Sequence, residues 1–84
     1  MELKDTVELM MSPNWKDRFV AEYAQTKIRY EKLHAMTVKR EVGKCPFETP
    51  ISLDSWCTQL HHMGNYLHEL EKQAAIHEIE LPRV

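Results

Sequence analysis

The sequence predicts an all-α protein, an antiparallel helical hairpin with a short N-terminal helix. Apolar side chains recur at three- and four-residue spacing along most of the 84 residues, as on one face of a helix. Two glycines and four prolines are too few for a β-rich domain built on tight turns. The prolines fall between or after the periodic stretches, so we expect one domain, residues 1–84, with three helices.

The first two helices are separated by a serine–proline pair. The short helix, 2–11, places Leu3, Val7 and Met10 on one stripe. It should stop at Ser12, because a residue that precedes proline is disfavoured in the helical region. Ser12 would then cap a long helix over 13–42, which begins with Pro13. Gly43 would end this helix.

A loop over 43–51, with two prolines, leads into the third helix, 52–78. Ser52 is a favourable N-cap residue, and Pro82 lies beyond the end of the helix. Apolar residues follow at alternating spacings of three and four, which is the seam of a coiled coil. The seam comprises Leu53, Trp56, Leu60, Met63, Leu67, Leu70 and Ala74, with Leu60 and Leu67 expected at its centre.

The long helix has more apolar surface than one partner helix needs. One surface comprises Trp15, Phe19, Tyr23, Thr26, Tyr30 and Leu33. A second surface, about 100° away, comprises Val20, Ala24, Ile28, Ala35, Val38 and Val42. Either the short first helix or another subunit covers the second surface. We expect a homo-oligomer, because the long helix also exceeds the size of a compact 84-residue core.

Composition excludes several classes of protein. Eleven lysines and arginines against thirteen aspartates and glutamates give a net charge of −2, which argues against specific DNA binding by bulk positive charge. No apolar run approaches 18 residues and no signal-peptide pattern is present, so we expect no membrane association and a cytoplasmic location. Two cysteines cannot build a disulfide framework.

The remaining face of the long helix is basic. It carries Arg18, Gln25, Arg29, Lys32, Lys39 and Arg40, with Glu22 among them. One interpretation is a solvated face on which Glu22 pairs weakly with Arg18 or Arg29. The other is an anion site at which arginines fork onto phosphate oxygens and a tyrosine stacks on a base. The candidate ligand-binding residues are Arg18, Tyr23, Arg29, Tyr30, Lys32 and Arg40.

The sequence gives little indication of catalysis, a metal or a cofactor. Cys57 and His61, four residues apart, could share a zinc ion, but paired ligand motifs are missing. As nucleophile and base they would lack an oxyanion hole, and no glycine-rich phosphate loop is present. We therefore expect no enzyme and no cofactor. His61, His62 and His68 are interpreted as surface residues of the third helix, with no assigned role.

Several runs of residues carry a resemblance to known proteins. Residues 15–19 (WKDRF), Glu22-Tyr23 and residues 27–33 (KIRYEKL) resemble a family of small phage and prophage proteins named after a crAss-like phage. In the second half, Cys45-Pro46, Gln59-Leu60 and Tyr66-Leu67 extend the match over nearly the whole chain. More loosely, the order of elements is similar to that of phage helical-hairpin sponges. Those proteins form oligomers and sequester the nucleotide signals of CBASS and Thoeris immunity.

The resemblance implies an anti-defence phage protein in the host cell cytoplasm. It would be a non-enzymatic sponge that binds a cyclic nucleotide or cyclic ADP-ribose-type signal at an oligomer interface. Arg18, Arg29, Lys32 and Arg40 would then meet phosphates, and Tyr23 or Tyr30 would stack on the base. Two alternatives remain: a protein–protein inhibitor of a host defence enzyme, such as a CRISPR or restriction nuclease, and a structural phage helical bundle.

Overall fold

The computed structural model describes residues 1–84 and confirms the predicted all-α hairpin. A 3₁₀ turn, Leu3–Thr6, continues into α1, Val7–Met10. Two long helices follow, α2 over Trp15–Glu41 and α3 over Leu53–His77, and they pack side by side to form an elongated body of 43 × 24 × 19 Å. None of the helices is both long enough and apolar enough to cross a membrane.

The N-terminal segment is tied to α2 through a buried threonine. Thr6 is fully buried; its hydroxyl donates to the Leu3 carbonyl at 2.7 Å and accepts from Gln25 Nε2 at 2.8 Å. Ala24 and Ile28, two members of the second apolar surface, are buried on the side of α2 near this contact. The N-terminal segment therefore covers part of that surface, in line with one of the two alternatives that the sequence left open.

The start of α2 differs from the prediction. The helix begins at Trp15, and the side chain of Asn14, not of Ser12, accepts the capping hydrogen bond from Lys16 N at 2.9 Å. Ser12 Oγ instead donates to Asp17 Oδ2 at 2.7 Å. Asn14 keeps the extended backbone of a capping residue, so Pro13 lies before the helix and not in its first turn.

The other helix ends follow their predicted signals. Gly43 has a φ of +72°, the left-handed conformation that glycine adopts without strain, and α2 ends just before it at Glu41. Ser52 caps α3, since its Oγ accepts from Ser55 N at 3.0 Å. The chain then leaves α3 at Glu78, which is left-handed with a φ of 54°.

The core lies between α2 and α3 and is best packed in the half away from the connecting loop. Tyr23, Leu67 and Leu70 form a buried cluster, against which Leu81 of the C-terminal segment also packs. Of the predicted seam, Trp56, Leu67, Leu70 and Ala74 are buried, whereas Leu53, Leu60 and Met63 are only half-buried. Leu67 is thus central as predicted, and Leu60 is not.

Candidate functional site

The four cations that were predicted to meet phosphates lie on one side of α2. At about 100° per residue, Arg18, Arg29, Lys32 and Arg40 fall within about 80° of one another. Along the axis, however, Arg18 and Arg40 are about 33 Å apart at 1.5 Å per residue. One chain therefore cannot bring all four to a single small ligand. Arg29 and Lys32 are the adjacent pair, because residues three apart are neighbours on a helix surface.

Arg29 and Lys32 are exposed and take part in none of the three ion pairs of the structure. Those pairs are Lys4–Glu2, Lys27–Glu31 and Lys72–Glu69. The carboxylate expected to pair with the basic face is used elsewhere, since Glu22 Oε1 accepts a hydrogen bond from Tyr66 at 2.8 Å. Neither Arg18 nor Arg29 therefore forms the predicted ion pair with Glu22.

Arg18 is held at the turn between α1 and α2. Its Nη1 donates to the Ser12 carbonyl at 2.7 Å, although the residue as a whole is exposed. This bond anchors one end of the guanidinium to the backbone and leaves its other donors facing solvent. Arg18 thus lies near the start of the basic face, about 16 Å along the axis from Arg29.

The two tyrosines point away from the basic face. Tyr23 is only 6% exposed, and its hydroxyl donates to Glu71 Oε2 on α3 at 3.3 Å. Burial, together with the nearby Glu71 carboxylate, raises the pKa of Tyr23. The expectation that Tyr23 stacks on a bound base is not met, because its ring is enclosed in the hairpin core.

Tyr30 is half-buried on the same side of α2 as Tyr23. Its ring stacks on His34 with the ring centroids 6.2 Å apart, and Lys27 Nζ lies 5.8 Å from its centroid. On α3, Gly64 lies close to the ring, since an added Cβ there would come within 3.7 Å of Tyr30. Tyr30 therefore faces α3, about 100° around α2 from Arg29.

Arg40 occupies a different environment from the other cations. Its Cζ lies 4.6 Å from the centroid of the Trp56 ring, and the Phe47 ring is tilted by 54° against Trp56 at 6.1 Å. Arg40 Nη1 is buried and has no hydrogen-bond acceptor. A cleft of about 380 Å³ opens at this end of the hairpin; it is lined by Arg40, Gly43, Cys45, Phe47, Glu48 and Thr49.

Most of this cleft is not evident from the sequence. The periodic pattern assigns Trp56 to the apolar seam, and Phe47 and Glu48 fall in the predicted loop. No periodic pattern links a loop residue to a helix face, because the path of the loop decides which side chains meet. The two prolines that flank Phe47, Pro46 and Pro50, were the available signal of a fixed loop.

The cysteines and histidines do not converge on one point. Cys45 Sγ donates to the Phe47 carbonyl at 3.3 Å, and Cys57 is exposed on α3. His61 contacts Asn65 at 3.3 Å and lies edge-on to the His62 ring. The structure contains no group of three or more histidine, cysteine, aspartate or glutamate side chains placed to hold a metal ion.

The fold and its surface define a small all-helical hairpin protein with a cationic face along its longer helix. The family model for Sequestin matches residues 13–76, which include α2, the connecting loop and nearly all of α3. The chain therefore belongs to the Sequestin family, whose name indicates sequestration. No curated protein and no solved structure matches the chain.

Proposed function

We propose that this protein is a non-enzymatic phage counter-defence protein that sequesters a nucleotide second messenger of bacterial immunity. The observation that carries the proposal is the pair Arg29 and Lys32, which are exposed, adjacent and free of ion pairs on α2. Membership of the Sequestin family supports the sequestering role. The resemblance to small phage proteins and to hairpin sponges supports the phage origin and the class of ligand.

The chemistry of this pair suits a phosphate group. Arginine presents a planar fork of donors that matches phosphate oxygens, and lysine adds a compact charge beside it. Because Glu22 bonds to Tyr66, a bound phosphate does not have to displace an ion-paired carboxylate from Arg29. Sequestration requires tight binding but no chemical step, so this arrangement needs no nucleophile or general base.

Tight binding needs more than two cations in open water, where charge pairs contribute little. We infer that a second copy of the chain encloses the ligand and lowers the solvent exposure of the pair. The N-terminal segment beside this face leaves Val7 at 52% and Met11 at 79% exposed, which is apolar surface that a second copy could cover. The oligomer interface would then supply the partly closed pocket that one chain lacks.

A thermal-shift screen tests the proposal. The purified protein is heated with a panel of cyclic oligonucleotides and cyclic ADP-ribose-type molecules, with linear mononucleotides as controls. A ligand that binds only the folded state raises the melting temperature, by an amount that grows with its concentration. We expect a large shift with one class of signal. No shift with any member of the panel would reject nucleotide sequestration.

A protein–protein inhibitor is the second candidate, and exposed apolar side chains favour it. Val42 at 66% and Ile76 at 76% exposure lie at opposite ends of the hairpin, away from Arg29. Such residues would suit a helix-face contact with a host defence enzyme. An inhibitor of this kind should show no nucleotide-dependent shift, so the same screen separates the two functions.

A further inference from the structure

The guanidinium of Arg40 packs against an aromatic ring but lacks one hydrogen-bond acceptor. Its Cζ lies 4.6 Å from the centroid of the Trp56 ring, and its buried Nη1 donates to no acceptor. A buried charged donor without an acceptor is costly, and most buried polar groups in proteins are hydrogen-bonded. Arg40 also lines the cleft at the hairpin tip, so an acceptor that entered this cleft would meet its guanidinium.

We propose that the cleft at the hairpin tip is a second binding site, which takes an oxyanion attached to a flat ring. The oxyanion, a phosphate or a carboxylate, accepts from the guanidinium of Arg40. The ring packs against Phe47, whose side chain is 49% exposed at the edge of the cleft. The volume of about 380 Å³ lies within the usual range of small-molecule sites, about 300–1,000 Å³.

Arg40 is prepared for such a ligand by its neighbours. The Trp56 ring holds the guanidinium through a cation–π contact, so less side-chain entropy is lost when an anion binds. Trp56 is itself packed against Phe47, which couples the apolar wall of the cleft to the charged group. The connecting loop therefore supplies the ring contact, and α2 supplies the charge.

Glu48 also lines the cleft and sets its selectivity. A carboxylate at this position repels a second anion, so only a ligand that gains from both Arg40 and Phe47 should bind well. Replacement of Glu48 by glutamine removes this repulsion and leaves a side chain of similar size. The Glu48→Gln variant should therefore bind the anionic ligand more tightly than the wild type.

This site is separate from the one proposed for nucleotide sequestration. Arg40 and Arg29 are about 16 Å apart along α2, and apart from Arg40 the cleft is lined by loop residues, not by Arg29 or Lys32. The two proposals can therefore fail independently. If no nucleotide binds at Arg29 and Lys32, an aromatic anion can still bind in the cleft, and the reverse also holds.

Tryptophan fluorescence provides a direct test, because Trp56 forms part of the arrangement. Trp15 is at the opposite end of the hairpin, where it contacts His77, so a Trp15→Phe background leaves Trp56 as the only reporter. The protein is titrated with phenyl phosphate and, in a parallel series, with benzoate. Two controls each carry one of the two features: inorganic phosphate is an oxyanion without a ring, and benzyl alcohol has a ring without a charge. The two aromatic anions distinguish phosphate from carboxylate as the preferred group.

We expect a saturable change in Trp56 emission with at least one aromatic anion, and weaker binding of both controls. Arg40→Gln should weaken this binding at least tenfold, whereas Lys72→Gln, which removes an exposed cation of α3, should leave it within twofold. Circular dichroism of each variant verifies the fold, and Arg40→Lys gives a second variant that keeps the charge but loses the planar group. An equal response in folded Arg40→Gln or Arg40→Lys, no saturation with either anion, or weaker binding by Glu48→Gln would overturn the proposal.

Discussion

Tyr66 of α3 donates a 2.8 Å hydrogen bond to Glu22 of α2, and this contact bears on both the fold and the site. A reciprocal bond runs from Tyr23 of α2 to Glu71 of α3 at 3.3 Å. Each long helix thus contributes one tyrosine and one carboxylate, which fixes the register of the hairpin. Because Glu22 accepts this bond from Tyr66, it does not pair with Arg29, and the basic face lacks the carboxylate partner predicted for it.

The two tyrosine contacts should make stability fall at alkaline pH. The hydrogen bond to Glu22 is the main cause that raises the pKa of Tyr66, and burial is the main cause for Tyr23. Because the folded state favours the neutral phenol, the stabilisation is complete below the unfolded pKa of about 10 and is lost as pH rises through the higher folded pKa. Urea unfolding at several pH values between about 8 and 11 measures this loss.

The control for this prediction is the double variant Tyr23→Phe/Tyr66→Phe. Lysines also titrate in this range, so the informative quantity is the difference between wild type and variant. We expect that difference in the free energy of unfolding to shrink as pH rises above about 10. A constant difference across the range would show that these hydroxyls do not couple to folding.

Leucine truncations along α3 should report where the hairpin is well packed. Leu67 is 4% exposed within the central cluster, so Leu67→Ala should cost about 2–5 kcal/mol in the free energy of unfolding. Leu60 is only half-buried, and Leu60→Ala should cost about 1–2 kcal/mol. Denaturant melts of both variants check the order, and an equal or larger cost at Leu60 would contradict the observed packing.

Periodicity and capping signals were sufficient to predict the hairpin, because both are local properties of the chain. They predicted the long helices, the Ser52 cap and the end of α2 near Gly43. They did not predict that Asn14, instead of Ser12, caps the start of α2. The cleft required knowledge of the loop path, which places Phe47 against Trp56. The orientation of Tyr23 could not be read from residue type alone, because a tyrosine suits both a core and a base-stacking surface.

The exposed apolar side chains predict self-association. Val38 and Val42 on α2 are 48% and 66% exposed, and the N-terminal segment does not cover them. Val7 and Met11 are likewise exposed, and a second copy of the chain could cover these apolar side chains. Light scattering at micromolar concentration should give at least twice the chain mass of 10.0 kDa, and a mass near 10.0 kDa would contradict the expectation.

Arg29 should be needed for binding and not for folding. Arg29→Ala removes a charge-assisted hydrogen bond to phosphate. It should weaken the binding of the nucleotide found in the screen by about 2–3 kcal/mol. Arg29→Lys should also weaken binding, because lysine keeps the charge but loses the planar fork. Calorimetric titration measures both, and unchanged melting temperatures without ligand verify that the fold is intact.

A matched control for Arg29 is available on the other long helix. Lys72 on α3 is an exposed cation paired with Glu69, so Lys72→Ala changes the net charge by the same amount away from the basic face. It should leave the affinity unaltered within about twofold. Equal losses in Arg29→Ala and Lys72→Ala would mean that only the overall charge matters. Unchanged affinity in both Arg29 variants would remove the basic face from the mechanism.

The central claim is that the protein holds a nucleotide signal without changing it, and recovery of the ligand after binding tests this most directly. The protein is incubated with the nucleotide that stabilises it, free ligand is measured by dialysis, and bound ligand is released by heat denaturation and examined by mass spectrometry. We expect that free ligand falls in proportion to the protein added and that the released ligand has its original mass. A ligand that stays free, or one that is released with an altered mass, would contradict it.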